Sequence, residues 1–345
     1  MNAKHILVIR LSAMGDVAMT VPVLQQLLQQ YPEIKLTVLT QKHFIPLFEP
    51  LERTDVIAAD IKGKHKGITG LFKLFSDLKK QYKFDAVADL HNVLRSKFLR
   101  SVFWLSGFSV AKINKGRKEK KELTRKKNKT LHQLKTTFER YVEVFTSLNL
   151  PIKLDSTKQI FKKQSLPPDA AALFAPGKKN ICIVPFAKHR EKLYPVDKMK
   201  AAIQQFLQQS HLKIFLLGGG QKEIELLNQW EKELPGIVNL AGKFSFKDEL
   251  SIISNMDAMI SMDSANMHLA SLFGVPVISV WGATHPFLGF YGWNQSIDNA
   301  VQIDLYCRPC SVFGNKPCYR GDHACMEQLE EKLIVDRLVQ VNNSK

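Results

Sequence analysis

The chain has 345 residues, 45% of them hydrophobic, and carries a formal net charge of +17. This length accommodates two domains with separate cores, and the sequence contains no apolar run of the roughly 20 residues that cross a bilayer. Because no segment has the pattern of an export signal, a cytoplasmic chain with reduced cysteines is expected, and its charge favours an anionic partner.

Short apolar strands alternate with helical stretches through the first half of the chain. Residues 4–10 predict a buried strand, and residues 11–16 turn directly into a helix of apolar periodicity. Further strands are predicted at 35–40, 55–58 and 85–90, separated by helical stretches of crossover length. The first half therefore predicts a doubly wound parallel sheet.

Dense positive charge marks one segment of this half. Residues 112–135 hold eleven Lys or Arg residues against Glu119 and Glu122, which is a local excess of nine positive charges. Like charges at this density cannot be packed together, so we predict a mobile loop of the first domain that attracts anionic lipid head groups. A charge run that is merely solvated is the alternative.

The alternation begins again after a linker rich in proline. The linker is marked by Pro151, Pro167, Pro168, Pro176 and Gly177. The predicted strands beyond it are 180–185, 213–220, 257–263 and 275–282. One helix is predicted near 195–209, a second after residue 220 and through Trp230, and a third over 264–273. This order predicts a second parallel α/β sheet.

The predicted fold class is α/β, with two Rossmann-like doubly wound domains that face a cleft. The first domain is expected over residues 1–165, the second over 178–326, and a closing helix and tail over 327–345. Ligands of such sheets bind beyond the carboxyl ends of the strands, so functional residues are expected in the turns at those ends.

The turn after the first strand contains Ser12, Gly15 and Asp16. Gly15 permits a tight turn, and Asp16 falls at the start of the helix on the ligand side of the strand, which suits a catalytic carboxylate. The alternative is that Asp16 only caps the helix, since acidic residues are favourable at helix N-termini. The two roles can coexist.

A second candidate turn joins a buried strand to a helix and reads Asp263-Ser264-Ala265-Asn266-Met267-His268. Backbone N–H groups in the first turn of a helix bind phosphate, and the small residues at 264 and 265 let a pyrophosphate approach closely. An ordinary helix cap, and a His268 that is satisfied inside the core, are the alternatives.

A cationic loop at 188–195 follows the first strand of the second domain, and Lys192 is its candidate phosphate partner. A solvated surface loop is the alternative. The glycines at 218–220 also end a strand, but they lack the G-x-G-x-x-G spacing of a nicotinamide-binding domain. This argues against a dehydrogenase.

In their order along the chain, these motifs resemble glycosyltransferase family 9, the heptosyltransferases, across nearly the whole sequence. Residues 12–24, SerAlaMetGlyAspValAlaMetThrValProValLeu, are similar to the N-terminal signature of the family. The Asp of that signature is held to be the general base, and Asp16 is the matching residue. Residues 263–276 resemble the block that holds the donor diphosphate, and GlyAlaThr at 282–284 resembles the Gly-Pro-Thr that follows it.

The resemblance extends to further donor-side residues. Ala265 and Ala283 stand where the family usually has Gly and Pro. Lys192 matches a lysine, before an aromatic residue and Pro, that is taken to bind donor phosphate. Glu225 lies near the acidic residue expected to hold the nucleoside, with Glu223 as the competing candidate.

On the acceptor side, residues 89–96 resemble a family segment that lines the lipid A–Kdo pocket. The resemblance implies that Arg95 and Ser96 bind the acceptor, together with Ser12 and Gly15. A solvated helix face is the alternative for Arg95.

Four cysteines near the C-terminus resemble a Cys-rich tail of many family members: Cys307, Cys310, Cys318 and Cys325. Their number would satisfy tetrahedral zinc. Because the spacing between the pairs is irregular, a packed and reduced loop is favoured over a zinc site.

The resemblance implies a GT-B glycosyltransferase that moves a heptose from ADP-heptose to the Kdo or heptose inner core of lipopolysaccharide, with inversion and without a metal or cofactor. The sequence has no Asp-x-Asp metal motif. Asp16 would take the proton of the acceptor hydroxyl, while Lys192 and the amides of 264–267 stabilise the departing diphosphate.

The expected partners are a nucleotide sugar, a glycolipid acceptor of the lipid A–Kdo type, and the membrane surface through residues 112–135. The expected location is cytoplasmic and peripheral, on the inner face of the inner membrane. A transferase of the same fold with another nucleotide sugar is one alternative. A basic nucleic-acid-binding protein without catalysis is another, disfavoured because interleaved aromatic residues and a recognised module are missing.

Overall fold

A computed structural model describes residues 4–343 in two compact units. The first unit comprises the chain up to Gly116 together with Lys135–Ile160, and the second comprises Arg117–Leu134 together with the chain from Phe161 onward. Ser344 and Lys345, which belong to the predicted tail, lie outside the described residues. Over 4–343, none of the helices combines the length and the apolar character needed to cross a bilayer.

Up to residue 160, short strands alternate with helices. The strands are β1 (His5–Ile9), β2 (Lys35–Thr40), β3 (Thr54–Ala58), β4 (Ala86–Asp89) and β5 (Ser109–Lys112). The helices are α1 (Met14–Ala18), α2 (Thr20–Gln30), α3 (Gly67–Gln81), α4 (Leu94–Leu105), α5 (Arg117–Leu123) and α6 (Thr137–Thr146). Strands predicted at 35–40, 55–58 and 85–90 correspond to β2, β3 and β4 within one residue at each end.

The five strands form one parallel sheet in the order β3-β2-β1-β4-β5. Ile6 to Ile9 are fully buried, because a central strand of a parallel sheet is covered on both faces, and this explains the continuous apolar run of β1. The strand order reverses between β1 and β4. Turns that follow these two strands therefore lie at the switch point, where such sheets bind ligands.

Beyond residue 160 the same pattern repeats. The strands are β6 (Lys179–Val184), β7 (Leu212–Leu216), β8 (Ile237–Asn239), β9 (Ala258–Met262), β10 (Val277–Val280) and β11 (Ala300–Val301). The helices are α7 (Pro168–Ala171), α8 (Val196–Leu207), α9 (Gln221–Glu233), α10 (Phe246–Ile253), α11 (Ala265–Leu272), α12 (Ala324–Glu327) and α13 (Glu331–Asn343).

These six strands form a second parallel sheet in the order β11-β10-β9-β6-β7-β8. Its order reverses between β9 and β6, so the turns after these strands occupy its switch point. Ile334 and Leu338 of α13 are buried in the core of this unit, and α13 packs against α8. Two doubly wound parallel sheets confirm the predicted α/β fold class.

The basic segment 112–135 differs from its prediction as a loop of the first domain. Lys112 ends β5, the helix α5 follows, and Arg117–Leu134 cluster with the second unit. The predicted first domain, 1–165, therefore includes a stretch that packs elsewhere.

Specific contacts explain this placement. The Lys129 ammonium donates hydrogen bonds to the carbonyl oxygens of Cys307 and Pro309, at 2.7 and 2.8 Å. Leu134 packs against Leu288 in a small apolar cluster. The prediction of a mobile loop in the first domain was wrong because it considered only the charge of the segment, whereas these contacts hold the segment against the second unit. Eight basic side chains of the segment stay exposed: Lys112, Arg117, Lys118, Lys121, Arg125, Lys126, Lys127 and Lys135.

Candidate active site

A buried arginine holds the candidate base of the first unit. Asp16 lies in the first turn of α1, just beyond the carboxyl end of β1, and its Oδ2 atom is 2.5 Å from Nη2 of Arg10. The Arg10 side chain is 5% exposed and that of Asp16 is 37% exposed. The N-cap of α1 is Ala13. The Asp16 carboxylate is thus oriented by a buried cation and stays accessible from solvent.

His91 lies beside this pair, in the turn after β4. Its Nε2 atom is 3.5 Å from the Ser12 hydroxyl. Burial and the neighbouring Arg10 cation lower the pKa of His91 to about 3, so the ring is neutral at pH 7. Its Nδ1 atom is buried and has no hydrogen-bond partner among residues 4–343. Such an atom is a hydrogen-bonding group that a ligand or water can satisfy.

The two residues predicted to bind the acceptor differ in exposure. Arg95 is exposed in the first turn of α4, at the same sheet edge as Asp16. Ser96 is fully buried, and its hydroxyl accepts a hydrogen bond from the backbone N–H of Val93 and donates one to the Val93 carbonyl. Ser96 therefore stabilises the start of α4 and cannot line a pocket.

In the second unit, Lys192 and Asp263 come together. The Lys192 ammonium is 2.7 Å from Asp263 Oδ2 and donates to the Asp263 carbonyl at 3.1 Å. The Thr284 hydroxyl donates to the same Oδ2 at 2.7 Å. Because Asp263 is 4% exposed, its pairing with this cation compensates for the lost contact of the carboxylate with water. The turns after β6, β9 and β10 thus meet at the switch point of the second sheet.

The N-terminus of α11 lies directly after Asp263. Its N-cap, Ser264, makes no side-chain hydrogen bond to the helix, and its hydroxyl lies 3.1 Å from that of Ser261. The first-turn amides are therefore not capped by a side chain, which suits an incoming phosphate.

Only part of the predicted donor block can offer side chains at this helix end. Ala265 and Asn266 are half-buried. Met267 is fully buried, so it can contribute only its backbone N–H group. His268 is 7% exposed, and its contact with a donor stays a prediction.

The GlyAlaThr turn is fixed by contacts that sequence reasoning missed. A Cβ atom on Gly282 would lie 2.9 Å from the Glu191 carbonyl oxygen, so the close approach of the two backbones needs glycine. Ala283 N–H donates to that same oxygen at 3.2 Å. The buried Arg308 guanidinium donates to the carbonyl oxygens of Gly282 and Thr284, at 2.5 and 3.0 Å. These bonds place Thr284 beside the Lys192 pair.

The two candidate nucleoside carboxylates have different surroundings. Glu225 is exposed on α9 and accepts a hydrogen bond from Gln221. Glu223 is half-buried in the first turn of α9, where it accepts a hydrogen bond from the Gly219 N–H at 2.8 Å. Burial raises the pKa of Glu223. The structure therefore favours Glu223, which lies at the carboxyl end of β7.

The four C-terminal cysteines line one small cavity and are all free thiols. Burial raises the pKa of Cys310, and that of Cys325 to about 11. Within residues 4–343, no three His, Cys, Asp or Glu side chains are arranged to hold a metal ion. The preference for a packed, reduced loop over a zinc site stays a prediction.

Comparison with known proteins points to one family. The profile of glycosyltransferase family 9 (heptosyltransferase) matches residues 71–317. The lipopolysaccharide core heptosyltransferase OpsX of Haemophilus influenzae is 25% identical over 308 residues, which cover 87% of this chain and 84% of OpsX. The profile match begins beyond Asp16, whose assignment rests on the N-terminal motif and on the geometry above.

Two solved structures share the fold. A family 9 glycosyltransferase from Veillonella parvula superposes with a TM-score of 0.76 at 17% identity, covering 99% of this chain and 98% of that one. Escherichia coli heptosyltransferase WaaC, solved with ADP, superposes with a TM-score of 0.68 at 20% identity, and the match covers 98% of this chain and 99% of WaaC. These likenesses confirm the predicted GT-B fold class.

Proposed function

The chain belongs to glycosyltransferase family 9, and on that premise we propose that it moves a heptose from ADP-heptose to the Kdo or heptose inner core of lipopolysaccharide. The transfer inverts the anomeric carbon and needs neither a metal nor a cofactor. The observation that carries this proposal is the uncapped N-terminus of α11 with the Lys192 ammonium beside it.

These donor-side groups suit a diphosphate leaving group. The amides of the first turn of α11 and the Lys192 cation supply positive charge where the glycosidic bond to phosphate breaks. Lys192 is already held by Asp263, whose carboxylate also accepts a hydrogen bond from Thr284, so little reorganisation is needed when charge develops. This fixed charge does what a metal ion does in other transferases.

On the acceptor side, Asp16 takes the proton of the attacking hydroxyl. The acceptor oxygen bonds to the anomeric carbon, the bond from that carbon to the diphosphate breaks, and the proton passes to the carboxylate. Arg10 binds Oδ2, which leaves Oδ1 for the acceptor. Arg95, exposed at the same edge, suits the carboxylate of a Kdo sugar.

We place the chain in the cytoplasm, peripheral on the inner face of the inner membrane, where a lipid A–Kdo acceptor would be reached. The exposed lysines of 112–135 support attraction to anionic head groups, now as a surface of the second unit. Vesicle binding that depends on these lysines and weakens as salt rises would support this location.

Mass spectrometry of the lipopolysaccharide core tests the proposal in cells. A strain that lacks this chain should produce a core shortened at an inner heptose, and wild-type complementation should restore it. Complementation with the Asp16→Asn variant, expressed to the same level, should not. An unchanged core in the deleted strain, with no other heptosyltransferase induced, would contradict the proposal.

A further inference from the structure

Exposed hydrophobic side chains of the first unit are concentrated on two helices. Ile68 and Phe72 of α3 are 70% and 55% exposed, and Leu94, Trp104 and Leu105 of α4 are 84%, 62% and 77% exposed. Among the described residues of this unit, these are all the large hydrophobic side chains that are exposed. Single exposed apolar residues are ordinary, but such a concentration marks an interaction surface.

The two helices form one surface, which we call the α3–α4 face. They pack against each other and cover the same side of the sheet. The exposed Phe72 ring contacts Phe75, which contacts Phe103 of α4, with ring centroids 5.8 and 4.8 Å apart. Phe72 therefore lies on the side of α3 that faces α4. On α4, the exposed residues Leu94, Ser101 and Leu105 recur at helical spacing along the outward stripe.

The charges around this face are positive. Lys66, Lys73 and Lys97 are exposed on or next to the two helices. Helix α4 contains no Asp or Glu. Asp77 of α3 is paired with Lys64 at 3.2 Å. An apolar surface with a rim of lysines is complementary to an anionic lipid surface, and the same rim opposes contact with the same face of a second copy.

We propose that the α3–α4 face docks on the surface of an anionic phospholipid bilayer. Trp104 suits the interfacial region, the aliphatic side chains enter the acyl boundary, and the lysine ammonium groups remain among the phosphates. Both helices begin at the carboxyl edge of the sheet, where Asp16 and Arg95 lie. Ile68 and Leu94 lie near this edge, whereas Trp104 and Leu105 lie at the far end of α4. Docking would therefore lay the whole side of the unit along the membrane with the Asp16 edge beside it. The inference thus deepens the proposed function by naming the surface that meets a lipid-linked acceptor.

Vesicle co-sedimentation of the full chain tests the proposal. The vesicles contain phosphatidylglycerol and phosphatidylcholine, without glycolipid or nucleotide sugar. Combined Phe72→Ser, Trp104→Ser and Leu105→Ser substitutions should lower the partition coefficient at least about tenfold, because three apolar side chains leave the interface. The thermal melt should change little, since all three side chains are exposed.

A matched control uses exposed hydrophobics of the second unit. Ile297→Ser, Leu333→Ser and Val339→Ser remove side chains that are 48%, 44% and 39% exposed, and partition should stay within twofold of wild type. Equal partition of wild type and the α3–α4 variant would overturn the proposal. So would a wild-type dimer that this variant converts to a monomer, since the face would then join two copies.

Two further measurements separate this inference from the proposed function. With a soluble acceptor that lacks its acyl chains, the α3–α4 variant should transfer sugar at the wild-type rate. If wild type did not use ADP-heptose but still required the face for vesicle binding, the donor assignment would fail and the docking proposal would stand. If transfer were intact and vesicle binding absent, the docking proposal alone would fail.

Discussion

Replacing Asp16 by Asn should lower both the turnover number and the stability of the fold, and the two losses have different causes that can be measured separately. The substitution removes the carboxylate that takes the acceptor proton, so kcat should fall by about 10² to 10⁴. It also leaves the Arg10 guanidinium, 5% exposed, without its counter-charge. Unpairing a buried charge costs about 3 to 5 kcal/mol, and the 37% exposure of Asp16 reduces this to about 1 to 3 kcal/mol.

A double substitution resolves the two effects. With Arg10→Met added to Asp16→Asn, no buried charge remains unpaired, so the melting temperature should rise above that of the Asp16→Asn variant. Turnover should stay low, because the base is still missing. The assay is ADP release with ADP-heptose and a Kdo-lipid A acceptor, beside a thermal melt and an ADP titration on the same preparations.

Several results would refute this reasoning. Turnover of Asp16→Asn within threefold of wild type would remove Asp16 from catalysis. Recovery of turnover in the double variant would show that the single variant failed through misfolding. The pH profile of kcat adds a check, since His91, with a pKa of about 3, should give no inflection between pH 5 and 9.

Three further predictions concern the second unit. Lys192→Ala should weaken ADP binding about tenfold or more by calorimetry, whereas the exposed Lys188 serves as the control and its Ala variant should bind normally. Glu223→Gln should weaken ADP binding more than Glu225→Gln does, because Glu223 is half-buried at the strand end. A larger loss of ADP affinity in Glu225→Gln would instead favour Glu225, the residue that the sequence predicts to hold the nucleoside. Burial raises the pKa of Glu249 to about 7, above its unfolded value, so the folded state favours the protonated side chain. The free energy of unfolding therefore falls as the pH rises from about 4.5 to 7. Glu249→Gln should therefore raise the free energy of unfolding by about 1 to 2 kcal/mol at pH 8 and hardly at pH 4.5, and an equal gain at both pH values would contradict the assignment.

Local signals were sufficient for eight of the eleven strands in residues 4–343 and for the turns that carry the candidate site. The short edge strands β5, β8 and β11 were not predicted. The apolar run of β1 predicts a strand buried on both faces, and the Gly15 turn that follows predicts the start of a helix. The turns at Asp16, Lys192 and Asp263 were expected at strand ends, and the structure places each of them at a switch point of its sheet.

The hydrogen-bond and ion-pair partners that depend on tertiary packing could not be predicted from the sequence. Arg10 and Asp16 are close in sequence, yet their pairing depends on how the turn after β1 folds back. Thr284 and Arg308 meet the Asp263 turn only through tertiary packing. The helix cap at Ser96 was missed because a family motif suggested a binding role, while the hydroxyl bonds to the backbone three residues earlier.

The basic segment shows a different limit. Its charge excess correctly indicates exposed lysines, but Leu134 and Lys129 decide where the segment packs. Long-range contacts of this kind have no periodic signature in a single sequence.

Direct transfer by the purified chain tests the central claim most sharply. The chain is incubated with Kdo-lipid A in the presence of EDTA, and ADP-heptose, an ADP-hexose and UDP sugars are supplied in separate reactions. The mass of the glycolipid product is then determined by mass spectrometry. We predict addition of one heptose from ADP-heptose alone, with matching ADP release and inverted anomeric configuration. Efficient transfer from a UDP sugar, or loss of all transfer in EDTA that is restored by a divalent metal, would contradict the account.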